Sequence, residues 1–433
     1  MAHDRNVGFE NEFITVADLS RATLARHPWS LGGGGAGDLK ELIEQRCTTK
    51  LDELVDAIGR STHTGDDEAY FLPEAAASRL GFSEHESVPI VKGEQLRDWQ
   101  LIEDEHCLFP YDKTTVQPIA PAGRAAQYYW LFRASLRNRR DFGERIEQRV
   151  VGGRRLTWFE HSMFFPERFR RPFSIGFAFV ATHNHFVLDR GDKVFNRTAP
   201  AIKLSASATE DDHLALLGWL NTSTSCFWLK QVSHDKGSGT DTGKWQAEPA
   251  KIAFEFSGGS VEKIPLPVFN DSQRARFLSL ARALDRLAGQ RMRLLTELLP
   301  MHPARSLSGA SELRDLLAIA ASTDRSLLQQ QITLQEEIDW TAYALLGLAD
   351  DLTSSAVGLE IDALAGTRWA RVHSRCSSRS RARPSASTDR RWRHHPEPGE
   401  QHNATSGSGA RERSNRRRCS RSSKCPTTSA VGW

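Results

Sequence analysis

Apolar and polar positions change rhythm three times between Phe173 and Pro267. Ile175, Phe177 and Phe179 alternate with other residues, and Phe186, Val187 and Leu188 follow a polar break. A period of two predicts strands. Arg190-Gly191-Asp192 has the composition of a tight turn and places a second strand over residues 193–196. Leu214, Leu216, Leu217 and Leu220 then fall on one helical face. The helix breaks in the Gly-, Ser-, Asp- and Thr-rich residues 234–243. A short strand ends at Ile264-Pro265-Leu266-Pro267.

The flanks extend this alternation. A short strand and turn are predicted over 12–19. A helix over 38–46 follows a glycine run at 32–37, and a second helix covers 51–58. A polar loop spans 61–68, and strands cover 88–91 and 101–108. The aromatic and proline residues of Phe109-Pro110-Tyr111-Asp112 read as core and turn. Phe277, Leu278, Leu280, Leu284, Leu287, Met292 and Leu295 predict one long amphipathic helix, stopped by Pro300 and Pro303. Two more helices are expected over 311–321 and 325–348, capped by Ser311 and Asp324. From residue 353 the chain is Arg- and Ser-rich, with too few aliphatic residues to bury a core, and is expected to be disordered. The fold class is α+β: a mixed strand and helix domain, a helical unit, then the tail. The expected divisions are 1–45, 46–270, 271–350 and 351–433.

Charge sharpens the picture. The 433 residues carry 57 Lys plus Arg and 54 Asp plus Glu, a net +3. From Arg368 onward there are 16 basic and 4 acidic residues, so the tail is +12 and the body −9. A body of that sign holds an anionic partner only through a local basic surface. Such a surface lies in residues 124–171, which contain 12 Arg, no Lys and 5 acidic residues. Arg133, Arg137 and Arg140, at i, i+4 and i+7, are expected on one helix face, with Arg139 beside them. Guanidinium forks suit phosphate oxygens and guanine edges, and the neighbouring Tyr128, Tyr129, Trp130, Trp158 and Phe159 could stack on bases or pack. The alternative is a solvated helix whose arginines pair with Asp141, Glu144 and Glu147. Further polar candidates are Asn196, Arg197, Lys203, Lys230, His234, Lys236 and Lys244.

Other chemistry is poorly supported. Gly243-Lys244 has Ser238 where a phosphate-binding loop needs its first glycine, and Trp245 where it needs Ser or Thr. His183, His185, Cys226 and His234 match no standard zinc spacing, and Asp112-Lys113 and Asp189 with Lys193 lack the acidic pair of a metal nuclease. The glycine run at 32–37 could cradle phosphate at a helix start, or serve as a flexible joint. Six scattered cysteines without a CxxC pair suit a reducing cytoplasm.

The blocks ATHNHFVLDRG, KVFNRTAPAIKL, LLGWLNTSTSCFWLKQV and EKIPLP resemble the target-recognition region of large bacterial adenine-specific DNA methyltransferases, of the PglX-like kind in BREX phage-defence systems. HPWSLGGGGAGDL, CLFPYD and LQEEIDWTAYALLGL agree, so the resemblance spans roughly residues 13–350. It implies duplex DNA as a partner, and S-adenosylmethionine on a catalytic half. That half's Gly-rich motif and Asn-Pro-Pro-Tyr-type motif are missing from this sequence, which has no Pro-Pro pair. The expectation is a recognition part without cofactor or catalytic residues of its own, from a split or truncated gene with Met1 an internal start. It would act with a catalytic half or other phage-defence subunits. A protein-interaction remnant or decoy subunit, and a complete but degenerate DNA-modifying enzyme, are the alternatives. The resemblance stops near Gly366, where a shifted reading frame would produce Arg/Ser/Pro/His-rich text; an evolved nucleic-acid-binding tail is the other reading.

Overall fold

The alternating segment around Ile175 lies at the heart of an antiparallel sheet in the computed structural model. The structure describes residues 35–97, 99–236, 252–298 and 309–349, with a few isolated positions before residue 35. The strands of two four-stranded sheets are labelled in chain order: β1 Val55–Gly59, β2 Phe71–Pro73, β3 Ser87–Val91, β4 Glu105–Leu108, β5 Ser174–Phe177, β6 Phe186–Asp189, β7 Val194–Phe195 and β8 Ala201–Leu204. The principal helices are α1 Ala36–Arg46, α2 Gly123–Asn138, α3 Glu210–Leu220, α4 Ser223–Val232, α5 Asp271–Leu298 and α6 Ala310–Leu345.

The first sheet runs β6-β5-β8-β1, with Ile175 opposite both Leu188 and Ile202. Every residue of β5, β6 and β8 is buried, so both faces are covered. Gly176 makes this possible: a Cβ there would sit 3.0 Å from the Phe195 ring. Helix α3 begins at a reciprocal cap between Thr209 and Asp212 and is buried from His213 to Leu220. Its one-face spacing understated its burial, because α5 and α6 cover its remaining surface. Gly218 lets them approach, since a Cβ would meet Ile338 at 3.1 Å and Phe277 at 3.4 Å. One hydrophobic core thus runs from the sheet through α3 into α5 and α6.

The second sheet runs β7-β3-β4-β2, with β7 and β3 parallel and the other pairs antiparallel. Arg190-Gly191-Asp192 does turn the chain, at φ 93° for Gly191 and 59° for Asp192. The strand beyond it does not fold back as a hairpin; β7 crosses to the other sheet, pairing Val194 with Ile90. Ser61 ties the crossing: its backbone N–H donates to the Phe195 carbonyl at 2.9 Å, and its hydroxyl accepts from the Phe195 N–H at 2.7 Å. A second core packs here, with Tyr70, Phe109, Tyr111 and Tyr129 buried together as the aromatic motif at 109–112 suggests.

Two expected elements are corrected. Residues 51–58 are not a helix. A single 3-10 turn at Leu51–Glu53 is followed by β1, because pairing Ile58 with Ile202 satisfies a sheet edge that a helix would leave open. Residues 311–321 and 325–348 are not two helices but one, and neither Ser311 nor Asp324 is a cap. Asp324 instead accepts a 2.8 Å bond from Arg291 of α5 in mid-helix. The expected elements at 12–19, 234–243 beyond Lys236, and the tail lie outside the described residues. No helix among the described residues is long and apolar enough to cross a membrane.

Candidate nucleic-acid interface

The arginine-rich segment is inserted between β4 and β5 and stands on the aromatic core. Helix α2 turns Ala125, Tyr129 and Leu136 inward and leaves Arg133 and Arg137 exposed, four residues apart on one face. The helix ends at Asn138, so Arg140 does not continue that face; it begins a hairpin instead. Arg139 is the hinge between the two and is buried. Its Nε donates to the Leu136 carbonyl at 3.0 Å, and its Nη2 to the carbonyls of Trp158 and Glu160 at 2.6 and 2.8 Å. Nη1 donates to the Thr64 carbonyl, and the guanidinium lies 5.3 Å from the Tyr70 ring. A cation so enclosed fastens the arm to its base and leaves the set of DNA candidates.

Two hairpins follow. Arg140–Asp141 pairs with Glu144–Arg145, and Val150–Val151 with Arg154–Arg155. Arg149 braces the first by bonding the Asp141 carboxylate and the Ser162 carbonyl. Arg154 binds Glu160, while Arg170 and Arg171 pair with Glu167 and Asp56. The remaining exposed arginines are placed by weaker contacts. Arg133 stacks 4.4 Å above the Trp130 ring, Arg137 lies 5.5 Å from Trp158, and Arg140 Nη1 donates to the Gly143 carbonyl at 3.1 Å. Among the described residues Arg124, Arg133, Arg137, Arg140, Arg145 and Arg155 have no carboxylate partner. The alternative of arginines neutralised by Asp141, Glu144 and Glu147 holds only for Asp141, whose partner is Arg149.

The other candidates are not gathered at this arm's surface by any bond. The Asn196 carboxamide oxygen accepts from the Thr198 N–H at 2.9 Å and the Ala199 N–H at 3.2 Å, so it shapes a turn that leaves Arg197 exposed. Lys203 is buried beside the Phe195 ring, and that burial pushes its amine down to about 8. It is inaccessible to a phosphate and also leaves the set. Lys230 sits 5.5 Å from the Phe254 ring, His234 is exposed on a short strand paired with Glu255, and Lys236 forms an ion pair with Glu255. Lys244 lies outside the described residues.

Sequence reasoning passed over Arg145, Arg155 and Phe142. Gly152-Gly153 is a two-residue hairpin signal that would have placed Arg155; Phe142-Gly143 gives no such signal. The aromatic residues near the arm divide: Tyr129 is buried, whereas Trp130 is 56% exposed.

Sequence comparison finds a relationship between this chain and an adenine-specific methyltransferase. The chain is 32% identical over 355 residues to the adenine-specific methyltransferase PglX of Streptomyces coelicolor, covering 80% of this chain and 28% of that protein. It therefore spans little more than a quarter of the relative's length. No family profile matches the chain. Two solved structures are similar at low level. The type IIL restriction-modification enzyme MmeI in complex with DNA is 10% identical with a TM-score of 0.40, covering 76% of this chain and 37% of MmeI. The type IIG restriction endonuclease BpuSI is 10% identical with a TM-score of 0.37, covering 71% and 33%. The sheets of the described residues contain one two-residue parallel pair and no succession of parallel strands and helices with a ligand crevice at the strand ends.

Proposed function

We propose that this chain is the DNA target-recognition part of an adenine-N6 DNA methyltransferase in a phage-defence system of the BREX kind. The observation that carries the reading is the division of labour in the arm. Arg139, Arg149 and Arg154 are consumed in holding it together, whereas Arg133, Arg137, Arg145 and Arg155 are presented without carboxylate partners. A frame that neutralises some guanidinium groups and leaves others bare suits a polyanion. The sequence relationship to PglX supports the same assignment.

In this reading arginine-phosphate contacts set the register of the duplex, and polar groups such as Arg197 and His234 meet base edges. S-adenosylmethionine and the transfer step belong to a catalytic half outside these residues. The test is fluorescence anisotropy with duplex DNA over a salt series, comparing the chain with a variant carrying Ala at 133, 137, 145 and 155. Each lost phosphate contact reduces the log–log salt slope by about 0.9, so a slope smaller by about three to four is expected. Equal slopes would sink the reading. The exposed Leu131 and Trp130 favour a second reading, docking of a protein partner; that predicts no salt-dependent difference between the two proteins.

A further inference from the structure

Two neighbouring hairpins use one turn geometry with opposite chemistry. Gly152 and Gly153 join the second, at φ 59° and 81°. Phe142 and Gly143 join the first, at φ 51° and 83°. A two-residue turn with both φ values positive follows the twist of its strands and favours Asn, Asp or Gly at both places. A bulky phenylalanine there is strained. Packing does not offset the strain, because the ring is 81% exposed. Its one ring contact among the described residues is with the Arg149 guanidinium, 5.4 Å away, which steadies it from one side.

A second cost lies one rung below the tip. The first rung pairs Asp141, which is held by Arg149, with the exposed Glu144; the next pairs Arg140 with Arg145, both exposed and without an ion-pair partner among the described residues. Like charges placed opposite one another destabilise a hairpin unless an anion lies between or beside them. The hairpin therefore combines an exposed apolar tip held on a strained turn with a facing pair of cations, and duplex DNA would bury the ring and neutralise the cations. An apolar ring fits between base steps, and guanidinium groups fit the phosphates on either side.

We propose that Phe142 is a wedge that enters a base step of duplex DNA, with Arg140 and Arg145 holding the flanking phosphates. The proposal rests on the DNA-recognition reading above. A protein partner would also cover an apolar tip, but it would have to bring two carboxylates to the same place.

The experiment uses the full chain and two short duplexes of one sequence, one of them carrying a single-nucleotide bulge at its centre. A bulge supplies a step already unstacked, so a wedge should prefer it by roughly tenfold, the scale of one aromatic stack on a base. Phe142→Asn suits the turn and should keep the fold; it should bind the plain duplex and lose the preference. Phe142→Trp should keep the preference, with a larger drop in tryptophan fluorescence on binding than the native chain shows. Wild-type binding both duplexes alike overturns the wedge and leaves DNA recognition standing. An undiminished preference in Phe142→Asn overturns it as well. Binding to neither duplex overturns both readings together.

Discussion

Arg154 places both terminal guanidinium nitrogens on the Glu160 carboxylate, at 2.9 and 2.6 Å, and Glu160 has no exposure to solvent. Glu160 also accepts from the Thr157 N–H at 2.7 Å and the Thr157 hydroxyl at 2.9 Å. Removing the cation strands a buried charge. Arg154→Ala should therefore cost about 3 kcal/mol of stability. Its neighbour Arg155 has no such partner, and Arg155→Ala should stay within about 0.5 kcal/mol of the parent. Urea unfolding followed by circular dichroism separates them; equal midpoints for the two variants would contradict the assignment.

The arm's base and its surface should respond to opposite measurements. Arg133→Ala and Arg145→Ala should each lower the salt slope of DNA binding by about 0.9 without lowering the melting temperature. Arg139→Ala should do the reverse. It removes the donor to four backbone carbonyls, and a loss of about 3 kcal/mol is expected. A melting temperature unchanged in Arg139→Ala would show that the clamp carries no load.

Lys203 makes stability rise in alkali. Burial lowers its amine from 10.5 to about 8, with Arg171 and Arg168 adding to the shift and Asp189 opposing it. Between those values the folded chain has shed a proton that the unfolded chain retains, so stability climbs with pH across the window. Below it both states are charged and the full burial cost persists. Lys203→Met should raise stability at neutral pH by roughly 2 kcal/mol and flatten the profile from pH 8 to 10.5. A steep alkaline rise surviving in the variant would assign it to another group.

His161 acts at the acid end. Its ring nitrogens meet the Thr62 hydroxyl at 2.6 Å and the Leu108 carbonyl at 2.8 Å, and burial holds it neutral down to about pH 3. The unfolded chain takes up the proton first, near 6.5, so stability falls as pH drops from there toward 3. Acidification from pH 6.5 to 5 should cost about 2 kcal/mol through this group alone. His161→Gln is less stable at pH 7 but should lose about one proton's worth of that acid slope. Unfolding free energies at several pH values, compared between the two proteins, provide the check.

What the sequence made legible is what local pattern governs. Alternation at Ile175 and Phe177 predicted a strand, and the run from Phe277 to Leu295 predicted α5, because each signal lies within the element itself. Partners at a distance were not legible. Val55 and Ile58 have helical spacing with Leu51, yet the open edge at Ala201–Leu204 claims them. Asp324 has the chemistry of a cap, but Arg291 from another helix turns it into an ion pair along an unbroken one. The same limit applied to the candidate interface. Arginine content located the arm, but only tertiary contacts distinguish Arg139, enclosed by carbonyls, from Arg133, which is exposed.

The route of the chain through the two sheets has an evolutionary consequence. The arm leaves after β4 and returns before β5, and its base is fastened by Arg139, His161 and the pairing of Met163–Phe164 with Thr62–His63. None of these contacts involves the hairpin tips at 142–143 and 152–153. Lineages can therefore diversify the tips, or exchange the hairpins, while inheriting the foundation intact. A segment so insulated is where new sequence preferences would arise with least harm to folding, and where grafting from a distant relative would be expected to succeed.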